Sequence, residues 1–495
     1  MKKTSTLTIA MAASEALPYA KSGGLGDVTG SLPAHLARLG HRLLLFVPYY
    51  RETRARLPHL PRALDPIDLP FPGHEVRVEL LRHEPWPGVT ALLVREDAAF
   101  DRPRLYGTPD GDYWDNAGRF SLFCRAVLAG LRELGERPDV IHVHDWQTAL
   151  VPLYLRHRPD LAGALAGTPS LITVHNLAYQ GLFPRSALAY AGIPEGLFQM
   201  QGVEFYGRLN LLKGGLLYAD AITTVSPRYS EEIRTPAFGE GLDGVLRDRS
   251  AALHGILNGV DYEEWNPETD PRLAANYSAA APAGKARCKE EVQRIFGFEP
   301  DPSIPLFGTI SRMVDQKGFD LLAAAMPRLA EMGLRYCLLG SGDRHYQDLF
   351  TDLARRHPGR IGVHIGYDDG LAHLIEAGAD CYLMPSRFEP CGLNQMYSLR
   401  YGTIPVVRAV GGLADTVERF NPARGSGTGF VFRDYDLDGL LWAVREALAT
   451  FARPADWARL RANAMSADFS WEAAARRYAD LYRELGRGAR ERRRG

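Results

Sequence analysis

Lys21-Ser22-Gly23-Gly24-Leu25-Gly26-Asp27-Val28 stands between an apolar run at residues 7–13 and an amphipathic run at 28–39. That order reads as strand, glycine-rich loop, helix. Glycines let backbone come close to a ligand, and a helix N-terminus offers unpaired N–H groups with partial positive charge. A phosphate is the expected guest. Lys21 adds a full charge, so Lys21, Gly23 and Gly24 are candidate binding residues. The loop has neither the GxGxxG spacing of a dinucleotide site nor the GxxxxGK[ST] of a P-loop, so a different phosphate-bearing ligand is expected.

Working outward, short aliphatic segments at 43–47, 89–94, 140–143, 171–174 and 221–225 alternate with stretches long enough for helices, such as 120–134. This pattern predicts a parallel sheet with crossover helices. The second half is more regular. Strands are expected at 306–310, 336–339, 361–365, 380–384 and 403–407, and helices at 320–332, 346–356, 371–377 and 393–401. That is a doubly wound α/β unit. Pro327 should bend the first of these helices. The expected organisation is an N-terminal domain at 1–253, a C-terminal domain at 254–468 and a final segment at 469–495 whose helix covers 471–485. Residues 277–284 read as an exposed loop.

At 495 residues the chain is too long for one ordinary core. A net charge of −1 provides no field favouring nucleic acid or a membrane surface. The five cysteines (Cys124, Cys288, Cys337, Cys381 and Cys391) form no CxxC pair, which leaves zinc and disulfide frameworks without support. The N-terminal apolar stretch is interrupted by Ser14 and Glu15 and leads into the glycine loop. It therefore reads as a buried strand, with a cytoplasmic location. The basic run at 483–494 reads as a frayed, solvated helix end.

Four further clusters sit where strands run into helices, the place at which open α/β sheets bind ligands. His142-Val143-His144-Asp145-Trp146-Gln147 follows a strand directly. The alternative is a turn with Asp145 capping a helix. A metal site is disfavoured, because on a strand His142 and Asp145 share no face. Thr173-Val174-His175-Asn176-Leu177-Ala178-Tyr179-Gln180-Gly181 surrounds His175 with polar and aromatic groups. These suit the hydroxyl edges and C–H faces of a sugar, although a satisfied structural histidine would look the same. Ser311-Arg312-Met313-Val314-Asp315-Gln316-Lys317-Gly318 places two cations five residues apart before a helix. It is either a diphosphate clamp or a solvated loop. In Ser386-Arg387-Phe388-Glu389-Pro390-Cys391-Gly392-Leu393-Asn394, Glu389 lies beside a helix start at Gly392 and Leu393. It could hold sugar hydroxyls or cap the helix. No histidine in that motif activates Cys391, which favours packing or substrate contact over covalent catalysis. Residues 23–28 and 411–416 faintly echo each other, each before a helix.

KSGGLGDV, HDWQ, TVHNLAYQG, LNGVD with WNP, SRMVDQKG, and SRFEPCGLNQMYSLRYGTIPVVR with VGGLADTV run in this order through residues 15–416. Together they resemble the bacterial glycogen synthases and plant starch synthases. The resemblance implies the GT-B fold, two Rossmann-like doubly wound domains facing across a cleft, with the last helix crossing back to the first domain. It implies transfer of glucose from ADP-glucose to the non-reducing end of an α-1,4-glucan such as glycogen. The anomeric configuration would be retained and neither metal nor other cofactor would be needed. It puts the catalytic set on Asp145, His175, Arg312, Lys317 and Glu389. Substrate contacts fall on Glu15 (acceptor), Lys21 (pyrophosphate), Asn258 (donor), Tyr367 (adenine) and Cys391, alongside the motif positions Gly23, Gly24, Asn176, Gly392 and Leu393. Because Lys21 and the clamp belong to different halves, domain closure is expected to complete the site.

Two departures stand out: Ser22 replaces the usual threonine, and Tyr397 occupies the position of a second glutamate found more widely in retaining transferases. The rival readings are a UDP-glucose-dependent or sugar-phosphate-forming transferase of the same architecture, a glucan-binding protein without activity, and a nicotinamide dehydrogenase.

Overall fold

The computed structural model describes residues 6–108 and 111–492, with side chains through Ala489. Arg493 and Arg494, at the end of the basic run, lie outside the described residues. The chain forms two compact units. The first runs to Val225, resumes over Ser230–Gly259 and takes the chain again from Trp471. The second comprises Ser226–Tyr229 and Val260–Ser470.

The first unit is built on a nine-stranded sheet among the described residues. Its strands are β1 (Thr8–Ala12), β2 (Arg42–Pro48), β3 (Ile67–Phe71), β4 (His74–Trp86), β5 (Val89–Arg95), β6 (Val140–His144), β7 (Ser170–Val174), β8 (Ala221–Thr224) and β9 (Leu253–Gly255). They lie in the order β9-β8-β7-β6-β1-β2-β5-β4-β3. Strands β1, β6, β7 and β8 are almost wholly buried, as a parallel sheet covered on both faces requires. The purely parallel expectation fails at one edge, where β4 and β3 pair antiparallel. Strand β4 alternates charged and apolar residues, so one of its faces can meet water.

Chain order reverses between β6 and β2 on either side of β1. The carboxyl ends of β1 and β6 therefore form a topological switch point. The helix after the glycine loop begins at Gly24, four residues before the expected start, so the glycines form its first turn. The final helix, Trp471–Arg492, extends beyond the expected 485. It returns to this unit and buries Trp471, Ala475, Tyr478 and Tyr482 against Val28, Leu32 and Leu36.

The second unit carries a six-stranded parallel sheet. Its strands are β10 (Leu306–Met313), β11 (Arg335–Gly342), β12 (Ile361–Ile365), β13 (Cys381–Met384), β14 (Ile404–Arg408) and β15 (Phe430–Phe432), in the order β12-β11-β10-β13-β14-β15. The switch point lies between β10 and β13. Helix Phe319–Glu331 runs on through Pro327. The loop expected at 277–284 is exposed over residues 279–281 but anchored at both ends: Tyr277 is buried, with its hydroxyl on the carbonyls of Tyr401 (2.7 Å) and Ala377 (3.2 Å), and Ala283 opens helix Ala283–Ile295. No described helix is long and apolar enough to cross a membrane.

Candidate active site

In the first unit, β1 delivers Glu15 beneath the glycine loop. Glu15 is 3 % exposed. Its carboxylate accepts the Ser22 N–H, the Ser22 hydroxyl at 2.7 Å, the Gly23 N–H at 3.3 Å and the Tyr106 hydroxyl. The hydroxyl that Ser22 shares with threonine is the group used. Lys21 Nζ donates to Asp27 Oδ1 at 2.6 Å. Gly23 is the extended N-cap and Gly24 the first helical residue. The Ser22 and Gly23 amides thus already face Glu15, which makes Lys21 the loop's principal attraction for an anion. Glu15, expected at an acceptor, has its carboxylate engaged by this loop.

At the adjacent switch-point strand, Asp145 adopts φ +56°, an uncommon conformation for a residue with a side chain and one that clusters at functional sites. Its Oδ1 accepts the His175 backbone N–H at 2.7 Å, tying the end of β6 to the end of β7. Burial pushes the Asp145 carboxyl up to about 7, opposed by hydrogen bonds from the His175 and Asn176 backbone. Burial also holds the His175 imidazole down to about 3. His175 Nε2 lies 3.0 Å from Nδ1 of the buried His144. The His144 ring packs at a 36° tilt against His142 with centroids 4.1 Å apart. His142 in turn bonds Tyr482 of the final helix at 2.8 Å and Thr173 at 2.6 Å. His144 therefore sets the orientation of His175, because a hydrogen bond at one ring nitrogen fixes what the other can do.

Sequence reasoning missed this role for His144, and it missed Tyr106, which lies 91 residues from Glu15. Among the described residues no group of three or more His, Cys, Asp or Glu side chains is disposed to hold a metal ion. Asn176 caps a local turn, its Oδ1 accepting the Ala178 N–H at 3.1 Å. Asn258 is 7 % exposed, and its Oδ1 is without a partner among the described residues. Gln180 bonds Asn210 and the Glu240 carbonyl, a structural position.

In the second unit, β10 continues three residues past its expected end and carries exposed Arg312 near its tip. The Arg312 guanidinium makes no hydrogen bond or ion pair among the described residues. Lys317 Nζ pairs with Glu389 Oε2 at 2.6 Å, and the Ser386 hydroxyl donates to the same oxygen at 3.1 Å. The pair is 18 % and 5 % exposed at its side chains. Two glycines permit this geometry. Gly318 has φ +76°, and a Cβ there would lie 2.0 Å from the Pro385 carbonyl oxygen. Gly411 has φ +42°, and a Cβ there would lie 1.9 Å from the Glu389 carbonyl oxygen. Both halves of the 23–28 and 411–416 echo therefore open helices, at Gly24 and Gly411.

Cys391 is buried, and Gly392 and Leu393 lead into helix Asn394–Arg400. Tyr367 is 81 % exposed beyond β12, its hydroxyl 3.3 Å from Asp369 Oδ1. Tyr397 stacks flat on Trp265 with centroids 3.8 Å apart, a packing role. Close by in the chain, burial pushes the Glu376 carboxyl up to about 8, against a 2.6 Å bond from the Ser398 hydroxyl. No sequence signal marked Glu376.

Each of the two Rossmann-like units thus gathers charged groups at its switch point. Residues 8–248 match the family model for the starch synthase catalytic domain, and residues 291–460 match that for glycosyl transferases group 1. A glycogen synthase of Koribacter versatilis is 48 % identical over 96 % of this chain and 97 % of its own. Glycogen synthase 2 of Geobacter sulfurreducens is 46 % identical over 96 % and 98 %. The catalytic domain of Arabidopsis thaliana starch synthase IV, solved bound to ADP and acarbose, superposes with a TM-score of 0.88. It is 34 % identical and covers 97 % of this chain and 100 % of that one. A sucrose-phosphate synthase of Thermosynechococcus elongatus shares the fold at TM-score 0.60 and 20 % identity. The chain belongs to the glycogen and starch synthase family.

Proposed function

We propose that this protein extends α-1,4-glucans, transferring glucose from ADP-glucose to a non-reducing end with retention of configuration, in the cytoplasm. The carrying observation is the buried Lys317–Glu389 pair, together with an exposed Arg312 that no carboxylate pairs among the described residues. A diphosphate needs cations, and a glucosyl group developing positive charge needs a carboxylate near its hydroxyls. The names of the relatives and the ADP of the solved neighbour point the same way.

In this reading the C1–O bond to the diphosphate breaks while the acceptor O4 bonds C1 on the same face. The O4 proton passes to the leaving phosphate oxygen. Arg312, Lys317 and Lys21 stabilise the departing charge electrostatically. Gly392 and Leu393 present backbone to the phosphates, and Tyr367 stands by the adenine. Asp145, His175, Asn176 and Asn258 serve the sugar. Cys391 contacts substrate, and Glu15 acts through the Lys21 loop with Gly23 and Gly24.

The test is incorporation of labelled glucose into glycogen from ADP-glucose and, separately, from UDP-glucose, without added metal. Preferential incorporation from ADP-glucose is expected. Preference for UDP-glucose would reassign the donor, and no incorporation from either would overturn the reading.

A further inference from the structure

His142 and His144 are two residues apart on β6 and so share one of its faces. His175, just past the end of β7, completes a file of three imidazoles. His175 Nε2 lies 3.0 Å from His144 Nδ1, with the ring centroids 5.3 Å apart, and His142 packs behind His144. His144 is wholly buried and held at its backbone by Thr148. The Thr148 hydroxyl accepts the His144 N–H at 2.7 Å and donates to the His144 carbonyl at 2.7 Å. The His175 backbone is held in turn by Asp145. The contact between the two rings is therefore fixed from both sides.

Both rings are neutral, because burial holds the His144 imidazole well below its ordinary value and that of His175 at about 3. A neutral imidazole has one N–H and one bare nitrogen, so the contact admits two arrangements. In one, His144 Nδ1–H donates to His175 Nε2 and leaves His144 Nε2 bare. In the other, His175 Nε2–H donates to His144 Nδ1 and leaves the His144 proton on Nε2. The atom that decides is His144 Nε2, which is buried without a partner among the described residues. The His142 ring cannot accept from it, because both His142 nitrogens are engaged, by Tyr482 at 2.8 Å and Thr173 at 2.6 Å. A buried N–H left without an acceptor is a rarer defect than an unfilled acceptor, so the first arrangement prevails. His175 then carries its proton on Nδ1. That nitrogen makes no hydrogen bond among the described residues, and the residue is partly exposed.

We propose that His144 is a positioning residue that fixes the tautomer of His175, so that His175 offers Nδ1–H as a donor to a sugar oxygen and has no lone pair free to take a proton. The proposal rests on the transferase reading above and deepens it. His175 is excluded as a general base, and the proton of the acceptor is left to the leaving phosphate. The test is long-range proton–nitrogen correlation spectra of the imidazoles in the full-length protein carrying isotope-labelled histidine, with His175→Gln identifying the His175 signals. His175 is expected as the Nδ1–H tautomer. In His144→Leu both tautomers should appear, and turnover with ADP-glucose should fall about tenfold. In His144→Asn, whose amide can donate from the same place, the Nδ1–H form and most of the turnover should return. A His175 proton on Nε2 in the unmodified protein, or an unchanged His175 tautomer in His144→Leu, would overturn the proposal. The spectrum of the unmodified protein needs neither a variant nor a substrate, so it decides the tautomer whether or not His144→Leu folds. A protein that transfers no glucose, yet holds His175 as Nδ1–H and loses that preference in His144→Leu, would leave the role of His144 standing while the transferase reading fell.

Discussion

Lys317 and Glu389 come from motifs 72 residues apart, yet they form one buried pair. Removing the lysine takes away a donor for the departing diphosphate and strands a carboxylate. Lys317→Ala should lower turnover on the order of 10²-fold or more. Steady-state rates at saturating ADP-glucose check this, and normal turnover with normal donor affinity would refute the clamp. Asp145 makes a pH prediction. Its folded value of about 7 lies above the ordinary 3.8, so the fold favours the protonated form. Its contribution to stability is complete below the ordinary value and is lost as pH rises through about 7. The carboxylate that could stabilise a cationic sugar exists only above that point. kcat/KM should therefore fall with acidification below about 7, roughly tenfold per unit. Melting temperatures of Asp145→Asn should vary less with pH over the same window. His175 works in the opposite sense: held at about 3 instead of 6.5, it stays neutral while the native state loses stability as pH drops through that interval. The individual candidates were legible because each stands in a short motif at the end of a strand. Their partners were not, since the bonds from His144 to His175 and from Tyr106 to Glu15 span 31 and 91 residues.

The strand-to-helix junctions depend on backbone shape. Gly411 lies against the Glu389 carbonyl oxygen, where any Cβ would collide with it, and its φ is positive. Gly411→Ala should cost at least about 1–3 kcal/mol. It should also displace Glu389, visible as a lowered melting temperature together with a raised KM for the donor. An unchanged KM would separate this glycine from the site. The elements most legible in the sequence are those buried on both faces. Strand Ser170–Val174, buried throughout, is found within a residue of the 171–174 its aliphatic run predicts. The illegible ones are half-wet. Strand β4 carries charges at alternate positions, and helix Ala283–Ile295 buries a narrow stripe through Cys288 and Val292 amid lysine, arginine and glutamate. Neither produces a continuous apolar signal. The early start at Gly24 escaped notice because glycine is a poor helix former, tolerated here at an N-terminus.

Across the whole molecule, the first unit is not complete until the last residues of the chain reach it. Helix Trp471–Arg492 fills its core with Trp471, Tyr478 and Tyr482, and Tyr482 holds His142 behind the His144–His175 bond. Removing residues 471–495 deletes several large buried side chains, each worth about 3–5 kcal/mol. The sum exceeds the ~5–15 kcal/mol that typically separates folded from unfolded states. The truncated chain should accordingly lack a cooperative melting transition, as calorimetry would show. Tyr482→Phe, which removes only the hydroxyl, should cost about 0.5–1.5 kcal/mol. A ribosome making this protein thus emits the chemistry-bearing strands well before the helix that steadies them. A chain halted short of Trp471 yields a product whose histidines have no backing, so an ordered centre marks a chain synthesised past Tyr482.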